Sequence, residues 1–96
     1  MYVILWEFVA RRGREADFEP AYGPRGRWAE FFRGAEGYLG TELWRGESRW
    51  LTVDRWNSEE DYLRFRAARL ADYEALDREM EELTEREKQI GSFTVV

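Results

Sequence analysis

The run Trp50-Leu51-Thr52-Val53-Asp54-Arg55-Trp56 interleaves one carboxylate with aromatic residues. In an extended strand every second side chain shares a face, so Trp50, Thr52, Asp54 and Trp56 form one row. A carboxylate among rings loses hydration, its pKa rises, and it can act as a general base near neutral pH. Asp54 is therefore the first candidate catalytic residue. The alternative is an ion pair with Arg55, or with Arg45 across a hairpin. Tyr62 is the second candidate: its hydroxyl can donate to a substrate oxygen, or its ring can serve packing alone. The indoles of Trp6, Trp50 and Trp56 can stack on a flat apolar ligand and orient it through their N–H groups. Thr52 shares the row of Trp50 and Trp56. Tyr22 and Trp28 flank Gly23-Pro24-Arg25-Gly26, a loop placed to cover a pocket mouth. That loop lacks the glycine spacing and the lysine of a phosphate-binding loop. Glu42 is a weaker version of the Asp54 case. Arg66 and Arg69 could neutralise an anion, or pair with Glu59, Asp61, Asp72 or Asp77 along a helix face.

What is missing narrows the chemistry further. The chain has no histidine and no cysteine. This excludes a Ser-His-Asp triad, imidazole or thiolate metal sites, a histidine-ligated haem and disulfides. Glu60 and Asp61 have no further ligands nearby, so no metal site is expected. The net charge is −5, and the 14 arginines and single lysine are scattered among 20 acids. That disfavours nucleic acid, which needs a basic stripe. The apolar run Tyr2–Trp6 is far short of the ~20 residues of a membrane span. There is no basic stretch followed by an apolar leader. The expected compartment is the cytoplasm, with no membrane partner.

These side chains must be positioned by elements. A length of 96 residues fits one domain, residues 1–96. Tyr2–Ala10 reads as a strand, Glu15–Tyr22 and the Trp28–Phe32 stretch as a broken first helix, and Gly37–Gly46 and Arg49–Trp56 as a hairpin. Ser58 can cap a second helix running from Glu59 to about Glu85, bent near Ala71. Ile90–Val96 reads as the last strand. The order β-α-β-β-α-β is the ferredoxin-like α+β pattern: a four-stranded antiparallel sheet with both helices on one face. The other face needs a second layer. By parity the aliphatic rows, such as Val3, Leu5 and Val9, are expected beneath the helices. The rows mixing aromatic and polar residues are Tyr2, Ile4, Trp6 and Phe8; Tyr38, Gly40, Glu42 and Trp44; and Trp50, Thr52, Asp54 and Trp56. They are expected on the open face. The chain has 16 aromatic residues. At ~150–250 Å² each they exceed what one small core readily hides, which points to a second copy closing a cavity against that face.

Ala35-Glu36-Gly37-Tyr38-Leu39-Gly40-Thr41-Glu42-Leu43 resembles the opening of the second strand in the antibiotic biosynthesis monooxygenase family. Leu51-Thr52-Val53-Asp54-Arg55-Trp56-Asn57-Ser58-Glu59-Glu60-Asp61-Tyr62 resembles that family's third strand and the start of its second helix. The element order agrees along nearly the whole chain. The resemblance implies a homodimer of the dimeric α+β barrel type, joined through the open sheet face. It also implies catalysis without a cofactor, and pocket walls at Trp56 and Tyr62. Where the family's quinone-forming members carry an asparagine on the third strand, this chain has Thr52. The haem-degrading branch is set aside, since no histidine is present and Trp6 or Glu7 stands where its asparagine falls. The expected function is a cofactor-independent monooxygenase acting on a small aromatic or quinol-type ligand. The alternative is a non-catalytic dimeric module that binds a small apolar metabolite or serves assembly only.

Overall fold

The computed structural model describes residues 1–96. β-branched and aromatic residues extend Tyr2–Ala10 into strand β1. A 3₁₀ turn at Glu15–Asp17 leads into helix α1, Phe18–Tyr22, and helix α2 follows at Arg27–Phe32. The break between them falls at Gly23-Pro24-Arg25-Gly26, where proline and glycine interrupt helical hydrogen bonding. Strands β2, Tyr38–Arg45, and β3, Trp50–Trp56, form the expected hairpin. Helices α3, Glu59–Ala68, and α4, Leu70–Met80, then cross the sheet. Strand β4 covers Thr84–Thr94. The sheet is antiparallel throughout, in the order β2-β3-β1-β4 of a ferredoxin-like fold.

Two element boundaries differ from expectation. The second helix breaks at Arg69 (φ −121°, ψ 30°), close to the bend expected near Ala71, but ends near Met80 rather than Glu85. The last strand begins at Thr84 rather than Ile90. Its first half, Glu85-Arg86-Glu87-Lys88-Gln89, is polar and so carries no hydrophobic strand signal. It pairs with β1 as an edge strand, where charged residues discourage further pairing.

The larger correction concerns the two faces of the sheet. The rows Tyr2, Ile4, Trp6, Phe8 and Trp50, Thr52, Asp54, Trp56 pair directly across β1 and β3 and face the helices. Ile4, Phe8, Thr52 and Trp56 are buried there. The helices meet them with rings of their own. Phe8 lies 4.5 Å from Tyr22 and 5.7 Å from Phe18, while Trp56 lies 5.5 Å from Phe32. Fourteen of the 16 rings are thus buried or half-buried within one chain, and only Trp44 and Phe93 are about half exposed. Aromatic pairs in tilted and edge-to-face arrangements fill this layer, so it does not need aliphatic rows. The open face carries half-buried Val3, Leu5 and Leu51, buried Val53, and the charged Glu7, Glu42 and Arg55, with Trp44 and Phe93 toward its edges. On β2 a bulge at Leu39 shifts the parity. Tyr38, Thr41 and Leu43 face the helices, while Glu42 and Trp44 face out.

Candidate functional site

A cavity of about 140 Å³ lies between sheet and helices. Its floor is Trp6 and Phe8 of β1, Thr52 and Asp54 of β3, and Thr41 of β2. Its roof is Tyr22, Trp28 and Phe32 from α1 and α2, and its rim is Arg66, Tyr73, Asp77 and Glu87. The lining is thus half hydrophobic, with Thr41, Thr52 and Asp54 as polar groups of the floor and Arg66, Asp77 and Glu87 as further charged members. For scale, an apolar hollow of about 150 Å³ accommodates a benzene ring.

Asp54 is the carboxylate of the floor. Its Oδ1 accepts a hydrogen bond from Thr41 Oγ1 at 2.6 Å, and Tyr38 Oη lies 2.6 Å from the same Oγ1. Thr41 has one hydroxyl proton and gives it to Asp54, so Tyr38 donates to Thr41. Burial pushes the Asp54 pKa up from 3.8 to about 6, although the Thr41 bond pulls it down. The expected ion pairs with Arg55 or Arg45 do not form. Arg55 instead holds Glu42 at 2.9 Å on the open face, which lowers the Glu42 pKa. Arg45 lies over the Trp50 ring at 5.6 Å.

The rim is electrostatically mixed. Burial raises the pKa of Glu87, and the neighbouring Asp77 and Glu81 raise it further. Burial and Glu81 raise Asp77 as well, opposed by Arg66. The Arg66 guanidinium lies 5.0 Å from the Tyr73 ring centre. Arg69 is turned away from the cavity: it pairs with Asp72 at 2.9 Å and covers the Phe31 ring at 5.1 Å. Tyr22 and Tyr73 have pKa values raised chiefly by burial, so both hydroxyls stay protonated. The indole N–H of Trp28 is buried beside Tyr22 without a well-formed hydrogen bond. A buried donor of this kind on a cavity wall would be satisfied by an acceptor on a ligand.

The candidate residues divide into two groups. Trp6, Tyr22, Trp28, Thr52 and Asp54 come together around the cavity. Trp50, Trp56 and Tyr62 do not line it. Trp50 stacks on Phe18 at 5.3 Å. Trp56 is fully buried, and Tyr62 packs against it at 5.4 Å and against Tyr2 at 6.2 Å. Thr41, Phe8, Phe32 and Tyr73 line the cavity but were not among the sequence candidates. Alternation assigns Thr41 to the aliphatic row with Leu43, apart from the mixed row that holds Asp54, so it offers no sign that the two meet. These residues form the space within one chain, on the helix side of the sheet rather than on its open face.

Neither a family model nor a curated protein sequence matches the chain. Solved structures do. SnoaB, a cofactor-independent oxygenase from Streptomyces nogalater, superposes with a TM-score of 0.75 at 19% identity, over 99% of this chain and 92% of that one. A candidate antibiotic biosynthesis monooxygenase from Bordetella bronchiseptica gives 0.72 at 22% identity, over 99% and 96%. Another from Nitrosomonas europaea gives 0.70 at 14%, over 100% and 99%. Across its full length, then, the chain has the fold of antibiotic biosynthesis monooxygenase-type proteins.

Proposed function

We propose that the chain is a cofactor-independent monooxygenase acting on a small aromatic or quinol-type substrate held between sheet and helices. The observation that carries this reading is Asp54: a carboxylate in an aromatic cavity, without an ion-pair partner, whose pKa of about 6 suits a general base. The similarity to SnoaB and the two candidate monooxygenases supports the reaction class. In this scheme Asp54 takes a proton from an acidified ring carbon of the substrate. The electron pair left behind passes to dioxygen, and a peroxide forms at that carbon. Cleavage of its O–O bond leaves a carbonyl and releases water, so that CH₂ and O₂ become C=O and H₂O. Trp6 and Phe8 would stack on the ring, and the Trp28 N–H would meet a substrate oxygen.

The cavity sets a size preference. At about 140 Å³ it favours one or two fused rings over three. Larger substrates require α1, α2 and the loop between them to move outward. The test is oxygen uptake with naphthol-type and anthrone-like substrates, comparing wild type, Asp54→Asn and Tyr62→Phe. The expected outcome is faster turnover of the smaller substrate, loss of at least about a hundredfold in Asp54→Asn, and little change in Tyr62→Phe. Equal rates in wild type and Asp54→Asn would contradict the scheme.

A binding module is the second reading. It is favoured by one observation: Trp56 and Tyr62, the pocket walls implied by the resemblance, pack outside the cavity lining. Ligand binding without oxygen uptake would select it. In either case we propose that two copies associate through the open sheet face, because Val3, Leu5 and Leu51 form an apolar surface that a second layer would cover.

A further inference from the structure

We propose that Thr41 and Tyr38 are positioning residues for Asp54, a two-hydroxyl relay that holds Oδ1 and leaves Oδ2 as the oxygen presented to whatever fills the cavity. This rests on the reading of Asp54 as the base. Both links are 2.6 Å long, and the donor order is fixed because Thr41 has a single proton to give. No hydrogen bond from the protein reaches Oδ2. The three residues are brought together by two features of the sheet. Thr41 and Asp54 are direct cross-strand partners on β2 and β3, and the Leu39 bulge swings Tyr38 to the same side as Thr41. A donor bound to the ionised carboxylate stabilises it, and a second donor behind the first strengthens that bond by polarisation. The relay therefore offsets part of the cost of burying the charge. The other titratable groups around the cavity are Tyr22, Arg66, Tyr73, Asp77 and Glu87. None contributes to the Asp54 shift, whose causes are burial and the Thr41 bond.

The test is an NMR titration of the Asp54 side-chain carboxyl carbon in wild type, Thr41→Val, Thr41→Ser and Tyr38→Phe, with near-UV circular dichroism confirming the fold of each. Thr41→Val should raise the Asp54 midpoint by about one pH unit. Thr41→Ser should restore it. Tyr38→Phe should give a smaller rise, on the order of a few tenths of a unit. Tyr38→Phe is the informative variant if Thr41→Val fails to fold, since it removes the second link and leaves the Thr41–Asp54 bond in place. An unmoved midpoint in Tyr38→Phe, or a shifted one in Thr41→Ser, would overturn the relay. Oxygen uptake that survives in Asp54→Asn while these midpoints move as stated would remove the base reading and leave the relay standing. Loss of uptake in Asp54→Asn with midpoints that stay fixed would do the reverse.

Discussion

Asp54 is costly to the fold. Its pKa is about 6 when folded against an ordinary 3.8. Below pH 3.8 both states carry the proton, and the site is neutral with respect to stability. As the pH rises toward 6 the unfolded chain loses its proton first, so stability falls; above 6 the loss is complete, at about 3 kcal/mol. Asp54→Asn keeps an acceptor for Thr41 and removes the charge. It should be more stable than wild type at pH 8 and equal to it near pH 4, which urea unfolding at the two pH values will read. Such a cost at a cavity wall supports the proposed reading of Asp54 as a base. The sequence makes Asp54 visible because aromatic residues flank it at even spacing. It does not reveal the link to Thr41 and Tyr38, because alternation puts Thr41 in a different row from both, and the bulge that brings Tyr38 round has no distinctive composition. Nor does it separate Trp6, which lines the cavity, from Trp56, which fills the core. Both stand in aromatic rows, and only the packing of α2 and α3 distinguishes them.

The elements that frame the site are held by local devices. Ser58 caps α3, its Oγ accepting from the Asp61 N–H at 3.2 Å. Ser58→Ala should cost about 1 kcal/mol, lowering the melting temperature by roughly 4–8 °C; a scanning calorimeter checks this. Gly37 has φ +87°, a conformation glycine adopts freely, and a side chain there would collide with that of Asp61. The turn into β2 and the start of α3 are therefore coupled, and Gly37→Ala should destabilise by more than Ser58→Ala in the same experiment. Of these features, the cap and the hairpin are plain in the sequence. The start of β4 is not, because an edge strand buries little and can be written in charged residues. The assignment of faces fails for a different reason. Parity sorts each strand into two rows but does not say which row meets the helices. In the structure the rings of Phe18, Tyr22 and Phe32 on the helices meet Phe8 and Trp56 of the sheet, a match that parity alone does not express.

At the scale of the molecule, one layer is finished and one is not. Sheet and helices bury most of the rings and form the cavity, while the other face of the sheet keeps an apolar centre at Val3, Leu5 and Leu51 flanked by the Glu42–Arg55 and Glu7–Arg49 ion pairs. The chain exposes 6410 Å², where a folded monomer of 11.6 kDa is expected to expose about 5,800 Å². Sedimentation equilibrium should show a dimer, and Leu5→Asp, at the centre of the open face, should give a monomer with an unchanged far-UV spectrum. A wild-type monomer would remove the second layer from the account. Because the cavity lies within one chain, the monomeric variant should retain a ligand site. The central claim is that Asp54 in this cavity is a base that draws a proton from the substrate. It is tested most directly by the pH dependence of oxygen uptake in wild type and Asp54→Asn, using a naphthol-type substrate between pH 4.5 and 8. The account predicts a wild-type rate that climbs about tenfold per pH unit to a midpoint near 6 and then levels, with the variant at least about a hundredfold slower and flat. A variant that matches wild type in rate and profile would contradict it.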